Sequence, residues 1–172
     1  AGLMTTTNKI GFVGGMELGL IKKFQAGYEA GAKTANPDCE VLPAKYTGSW
    51  DNVDYAKVAA NSLFNAGADI VYHAAGRAGL GVISAAKEQG KYAIGVDSDQ
   101  DDIAEGSVLT SMVKRVDEGV YRTIEDVIKG DFRSGEVTYD LAAGGVGLSE
   151  MRVTKDKIGA EKLAKLQDVS DK

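Results

Sequence analysis

Along most of its length the chain alternates between short apolar runs and stretches with apolar residues at helical spacing. That alternation limits the possible folds more than any single residue does. Residues Lys9–Gly14 form an apolar run ending in Gly14-Gly15, the pattern of a buried strand. Leu20, Phe24, Tyr28 and Gly31 then fall on one helical face within residues 17–35, and Asn36-Pro37-Asp38 halts them. A second extended run covers 40–46, with Pro43 marking an edge position. Asp51 or Asn52 can cap the next helix, which carries Tyr55, Val58, Ala59, Leu63 and Phe64 and closes at Gly67. Strands at 69–74 and Tyr92–Asp97 flank a helix over Gly79–Glu88. An extended run at 108–113 leads into a helix over Val116–Lys129, ended by Gly130. A last strand is expected over 136–141, then a glycine-rich turn at 144–148 and an amphipathic tail helix over 154–166 capped by Thr154.

Strict alternation predicts an α/β fold: a three-layer, doubly wound parallel sheet with right-handed crossovers. The 172 residues fit one domain with a sizeable core. A net charge of −5 argues against a nucleic-acid partner, since phosphate binding needs a basic surface. No apolar run is long enough to span a membrane. Cys39 is the only cysteine, so no internal disulfide can form.

Ligands of such sheets sit at the carboxyl ends of the strands, which directs attention to the residues just after each strand. Trp50 is the only tryptophan and follows the second extended run. It can stack on a flat ligand, an interaction worth about 1–3 kcal/mol per base, or fold onto the following helix. Ala75 and Gly76 open a glycine-rich segment before the third helix. The segment matches neither G-x-G-x-x-G nor a P-loop, so close backbone approach to a neutral polar ligand is favoured over phosphate binding. Asp97 closes an apolar strand, where a carboxylate can accept two hydrogen bonds from a vicinal diol. The rival reading is a magnesium-dependent phosphoryl-transfer enzyme using Asp97 and Asp99. Asp101 and Asp102 are read as solvated loop charges. Lys114 ends the fifth run, either reaching a ligand oxygen or facing solvent. His73, the only histidine, lies inside a strand and reads as a core or edge residue; no catalytic triad or zinc-ligand spacing surrounds it.

Several stretches taken together resemble the basic membrane protein family of PnrA-like, purine-nucleoside-binding lipoproteins of ABC transporters. They are Asn8-Lys9-Ile10-Gly11-Phe12-Val13-Gly14-Gly15, Tyr46-Thr47-Gly48-Ser49-Trp50, Gly67-Ala68-Asp69-Ile70-Val71-Tyr72-His73-Ala74-Ala75-Gly76, Ala93-Ile94-Gly95-Val96-Asp97-Ser98-Asp99-Gln100 and Leu109-Thr110-Ser111-Met112-Val113-Lys114. The resemblance implies one lobe of a type I periplasmic-binding-protein fold, flavodoxin-like in layout, over residues 1–172. Residues 1–7 would be a linker from an N-terminal lobe. It implies no enzymatic activity, cofactor or metal, but a binding site for guanosine, inosine or adenosine. Trp50, where the family often has phenylalanine, would stack on the purine. Ala75 and Gly76 would approach with backbone, Asp97 would hold the ribose hydroxyls, and Lys114 would reach the sugar end. A sugar-binding lobe of the same architecture is the nearest alternative. The implied partner is an ABC permease, and the implied location is extracytoplasmic, lipid-anchored in the intact protein. The helix within 115–135 would belong to the other lobe of a two-lobed receptor. In this chain it is expected to dock onto the lobe's own sheet or to mediate homo-oligomerisation.

Overall fold

The structure, a computed structural model, describes residues 1–170. Its strands are β1 (Lys9–Gly14), β2 (Glu40–Val41), β3 (Lys45–Tyr46), β4 (Ile70–Ala74), β5 (Tyr92–Asp97), β6 (Val108–Lys114) and β7 (Val146–Leu148). Its helices are α1 (Gly19–Ala35), α2 (Val53–Asn65), α3 (Gly79–Glu88), α4 (Val116–Lys129), α5 (Lys155–Ile158) and α6 (Ala160–Ser170). The sheet order is β2-β1-β4-β5-β6-β7, with β3 also pairing β1. Every pairing is parallel except that of β6 with β7. This is the expected three-layer α/β architecture.

Strand alternation divides the buried side chains between two faces. Val13, Val71, Ala93 and Val108 point to one, where α2 and α3 deliver Leu63, Phe64, Val82 and Ile83. Packing there is close: a Cβ on Gly81 would lie 2.0 Å from the Val53 carbonyl oxygen. Each large aliphatic side chain buried in this layer contributes about 1.5–3 kcal/mol. Ile10, Phe12, Ile70, Tyr72 and Ile94 point to the other face, under α1. There the Phe12, Tyr28 and Tyr72 rings meet with centroids 5.2–6.3 Å apart. This face is less completely covered. An apolar groove of about 720 Å³ runs between Phe24, Gly27 and Gly31 of α1 and Leu166 of α6, with Ile94 and Leu109 beneath.

The chain enters this layer through Asp69, at the amino end of β4. Its carboxylate accepts from Thr5 Oγ1 (2.7 Å), from the Thr6 amide (2.6 Å) and hydroxyl (2.9 Å), and from the Thr7 amide (3.1 Å). Burial alone would raise its pKa, but these donors hold it below the ordinary value.

Four expectations need correction. The run at 40–46 breaks into two short strands, because Pro43 lies between them and cannot donate to β1. The strand expected over 136–141 is absent, and the edge strand is 146–148, within the supposed glycine turn. Gly145 allows this: a Cβ there would lie 2.3 Å from Tyr139. The tail helix divides at Gly159, whose φ is +81°. Thr154 does not cap it; its hydroxyl donates 2.6 Å to the Leu109 carbonyl, tying the tail to β6. Finally, of the two alternatives for α4, docking on its own sheet or homo-oligomerisation, the first is not the one seen. None of its residues is buried, and Val116, Val120, Tyr121, Ile124, Val127 and Ile128 are exposed. A helix returns over the sheet when it leads to a further parallel strand. Here antiparallel β7 occupies the edge beyond β6, so nothing draws α4 back.

Candidate functional site

The strand order reverses direction between β1 and β4, since the chain steps from β1 outward to β2 and then returns to the other side of β1. Loops diverge at such a point and leave a crevice at the carboxyl ends of the strands. Backbone bonds lace those ends together: the Gly15 amide donates to Ala74 O (2.9 Å), Thr47 to Gly14 O (2.9 Å) and Gly48 to Gly15 O (3.0 Å).

Trp50 sits over this crevice. A Cβ on Gly15 would lie 2.4 Å from Trp50 Cε3 and 3.3 Å from Ala75 Cα. The indole therefore lies against Gly15 at the switch point, and it stays 39% exposed. Its carbonyl accepts from the Ala78 amide at 2.8 Å, which fixes the loop to the start of α3. Asn52, the second of the two expected caps, accepts from the Tyr55 amide at 2.9 Å and starts α2 just beyond. Ala75, expected to meet the ligand with its backbone, is fully buried, backbone included, and only Gly76 of the pair reaches the surface. Gly76 has φ +57° and lies against Trp50; a Cβ there would come within 3.3 Å of Trp50 O. Glycine meets both demands, a left-handed backbone and close approach.

Asp97 is the last residue of β5 and is exposed. Its φ is +67°, and the Ser98 amide donates back to Val96 O at 2.8 Å. A three-residue turn of this kind around a non-glycine residue is strained, at a cost of about 1–3 kcal/mol, and such strain concentrates at functional sites. Lys114 ends β6, the next strand, and is also exposed. Among the described residues, the side chains of Asp97 and Lys114 form no hydrogen bond or ion pair, which leaves an acceptor and a donor free at the cleft edge.

The other acidic residues of this loop are committed elsewhere. Asp99 accepts from Arg152 (3.3 Å) and from the Asp101 amide (3.0 Å). Asp102 accepts from the same guanidinium at 3.3 Å. These bonds weaken the case for an Asp97–Asp99 magnesium pair. Asp101, expected in solvent, is buried: its Oδ1 accepts from Ser149 at 3.4 Å and its Oδ2 has no partner. Burial and the neighbouring Asp99 raise its pKa, because the 3-10 turn over Asp101–Ile103 folds this side chain inward.

His73 is a core residue, as its place within a strand suggested. Burial lowers its pKa to about 4, so the ring is neutral. Its Nε2 lies 3.0 Å from Gln100 Oε1, which also accepts from the Val96 amide at 3.0 Å. With Oε1 as the shared acceptor, Nε2 carries the proton. Gln100 was not singled out from sequence. The available signal was Gly95 in the middle of an apolar strand, a sign of close approach by another group.

Comparison with known proteins identifies relatives of the chain. The family model described as ABC transporter substrate-binding protein PnrA-like matches residues 1–172. Basic membrane protein B of Borreliella afzelii is 41% identical over 150 residues, covering 84% of this chain and 44% of that protein. A solute-binding protein of an ABC transporter system from Aeropyrum pernix superposes with a TM-score of 0.77 at 28% identity, covering 99% of this chain and 53% of the other. A protein of Bacillus halodurans described as a transcriptional activator of the comK gene superposes at 0.81, also at 28% identity, covering 99% and 58%. The chain thus spans about half the length of the relatives it matches.

Proposed function

Because the chain belongs to the PnrA-like family of ABC transporter substrate-binding proteins, we propose that it supplies one wall of a cleft that captures purine nucleosides for uptake. The observation that carries this reading is the placement of Trp50 on Gly15 at the β1/β4 switch point, with Asp97 and Lys114 unpartnered at the ends of β5 and β6. A flat base can lie on the indole. A vicinal diol can donate two hydrogen bonds to the Asp97 carboxylate, and the Lys114 ammonium can donate to a sugar oxygen. Backbone at Gly76 can approach the base edge with no side chain in the way.

In an intact receptor, a second lobe would close over the opposite face of the ligand and exclude water, after which a permease would take the ligand. The whole protein would be extracytoplasmic and held to the membrane by a lipid anchor. One lobe keeps one-sided stacking and solvated hydrogen bonds, so its own affinity falls in the millimolar range or weaker. Trp50 is its own reporter. Titration with guanosine, inosine, adenosine and cytidine, followed by emission and corrected for ligand absorbance, should show saturable quenching by the purines alone. Asp97→Ala should weaken guanosine at least tenfold. Equal quenching by cytidine, or indifference to Asp97→Ala, would defeat the assignment.

A further inference from the structure

We propose that Gln100 is the positioning residue for Asp97, holding it in the left-handed turn that presents a carboxylate at the cleft edge. The ladder between β4 and β5 ends at the Tyr72–Ile94 pair, so the Val96 amide finds no acceptor on β4. Gln100 fills that gap from the loop: its Oε1 takes the Val96 amide and braces against His73 Nε2, both at 3.0 Å. Val96 is the residue whose carbonyl accepts the Ser98 amide, closing the turn around Asp97. The carboxamide therefore grips the turn at its base.

Two further hydrogen bonds and two glycines make this a built arrangement. The Gln100 amide donates to Ser111 Oγ on β6 at 3.0 Å, and the Ser111 amide donates to Ser149 Oγ at 3.0 Å, so the loop is anchored to the next strand and to the segment after β7. Gly95 provides the space: a Cβ there would lie 2.6 Å from Gln100 Oε1 and 2.4 Å from Ser111 Oγ. Gly79 provides the corresponding space on the far side of His73, where a Cβ would lie 2.0 Å from Nδ1. Gly95, the Val96 amide and a buried histidine meet at one carboxamide, while Ser111 holds the backbone that carries it. The Asp97 side chain has no bond of its own to hold it, so its geometry is set by its backbone, which Gln100 fixes.

The ligand-binding part of this inference rests on the nucleoside reading above; the turn itself does not. The test compares wild type with Gln100→Ala and Gln100→Glu, the latter keeping an acceptor oxygen at the same reach. The Asp97 backbone carbon shifts report its positive φ. Affinities for guanosine and for the free base guanine separate the ribose contact from the stacking contact. Gln100→Ala should move the Asp97 shifts toward those of an ordinary extended residue, leave Val71 and Leu63 in place, and weaken guanosine about tenfold while guanine is unchanged. Gln100→Glu should restore both readouts. Unchanged Asp97 shifts in Gln100→Ala would overturn the proposal, as would equal losses for guanosine and guanine. Asp97 shifts that respond to Gln100→Ala support the positioning role whether or not the chain binds guanosine by itself; the nucleoside assignment is tested separately, by the cytidine and Asp97→Ala comparisons.

Discussion

Helices α2 and α4 follow the same rule of construction and meet opposite ends. Both are amphipathic and both follow a strand. Leu63 and Phe64 of α2 are sealed against β1, β4 and α3, whereas Ile124 and Ile128 of α4 face outward. On α4 the polar face is the better organised: Arg122 pairs with Glu118, and Lys129 with Glu125. An apolar stripe states that a face is to be covered, and topology decides what covers it. α2 lies inside a β-α-β crossover that returns it to the sheet. α4 leaves the sheet at its last parallel strand.

The contrast can be broken most directly by truncation. Leu63→Ala should cost about 2–5 kcal/mol in urea unfolding, while Ile124→Ala should change stability by less than about 0.5 kcal/mol. Equal costs would mean that α4 is covered in solution. The closed region should also carry an acid sensitivity that α4 lacks. His73 has a folded pKa of about 4 against 6.5 when unfolded, so the unfolded chain takes up its proton first. Stability is then complete above pH 6.5 and falls between pH 6.5 and 4, by roughly 3 kcal/mol in all. A flat unfolding free energy from pH 7 to 5 would contradict the neutral, sealed imidazole. The smallest effects come from single methyl groups. Gly81→Ala drives a Cβ into Val53 and should cost about 1–3 kcal/mol. Gly27→Ala, in α1 beside the open groove, meets nothing within 4 Å and should stabilise by about 0.5–1 kcal/mol. Thermal melts of the two variants should therefore shift in opposite directions.

The fold could be read where local pattern and tertiary role coincide. β1, β4 and β5 are continuous apolar runs because both their faces are covered, and α2 and α3 carry stripes that match those faces. The reading failed where partners are remote in sequence. Nothing local shows that 146–148 pairs with β6 while 136–141 does not. Asp101 stands in a run of acidic residues, and only the 3-10 turn that buries it separates it from Asp99 and Asp102. At the candidate site, Trp50, Ala75, Gly76, Asp97 and Lys114 could be picked out because each stands at or beyond the carboxyl end of a strand. Gln100 was signalled only indirectly, by Gly95, since its own value lies in two acceptor contacts, with Val96 and His73.

The two sheet edges have a consequence for how such a chain behaves in company. One edge is β2 and β3, two residues each with Pro43 between them; the other is β7, three residues long and antiparallel. Neither offers a run of free amides and carbonyls long enough to template another strand. The sheet is shielded against fibril growth at both margins, and whatever self-association the chain shows is left to side-chain stripes such as that of α4. Contacts of that kind form and dissolve with concentration, and they leave the sheet intact.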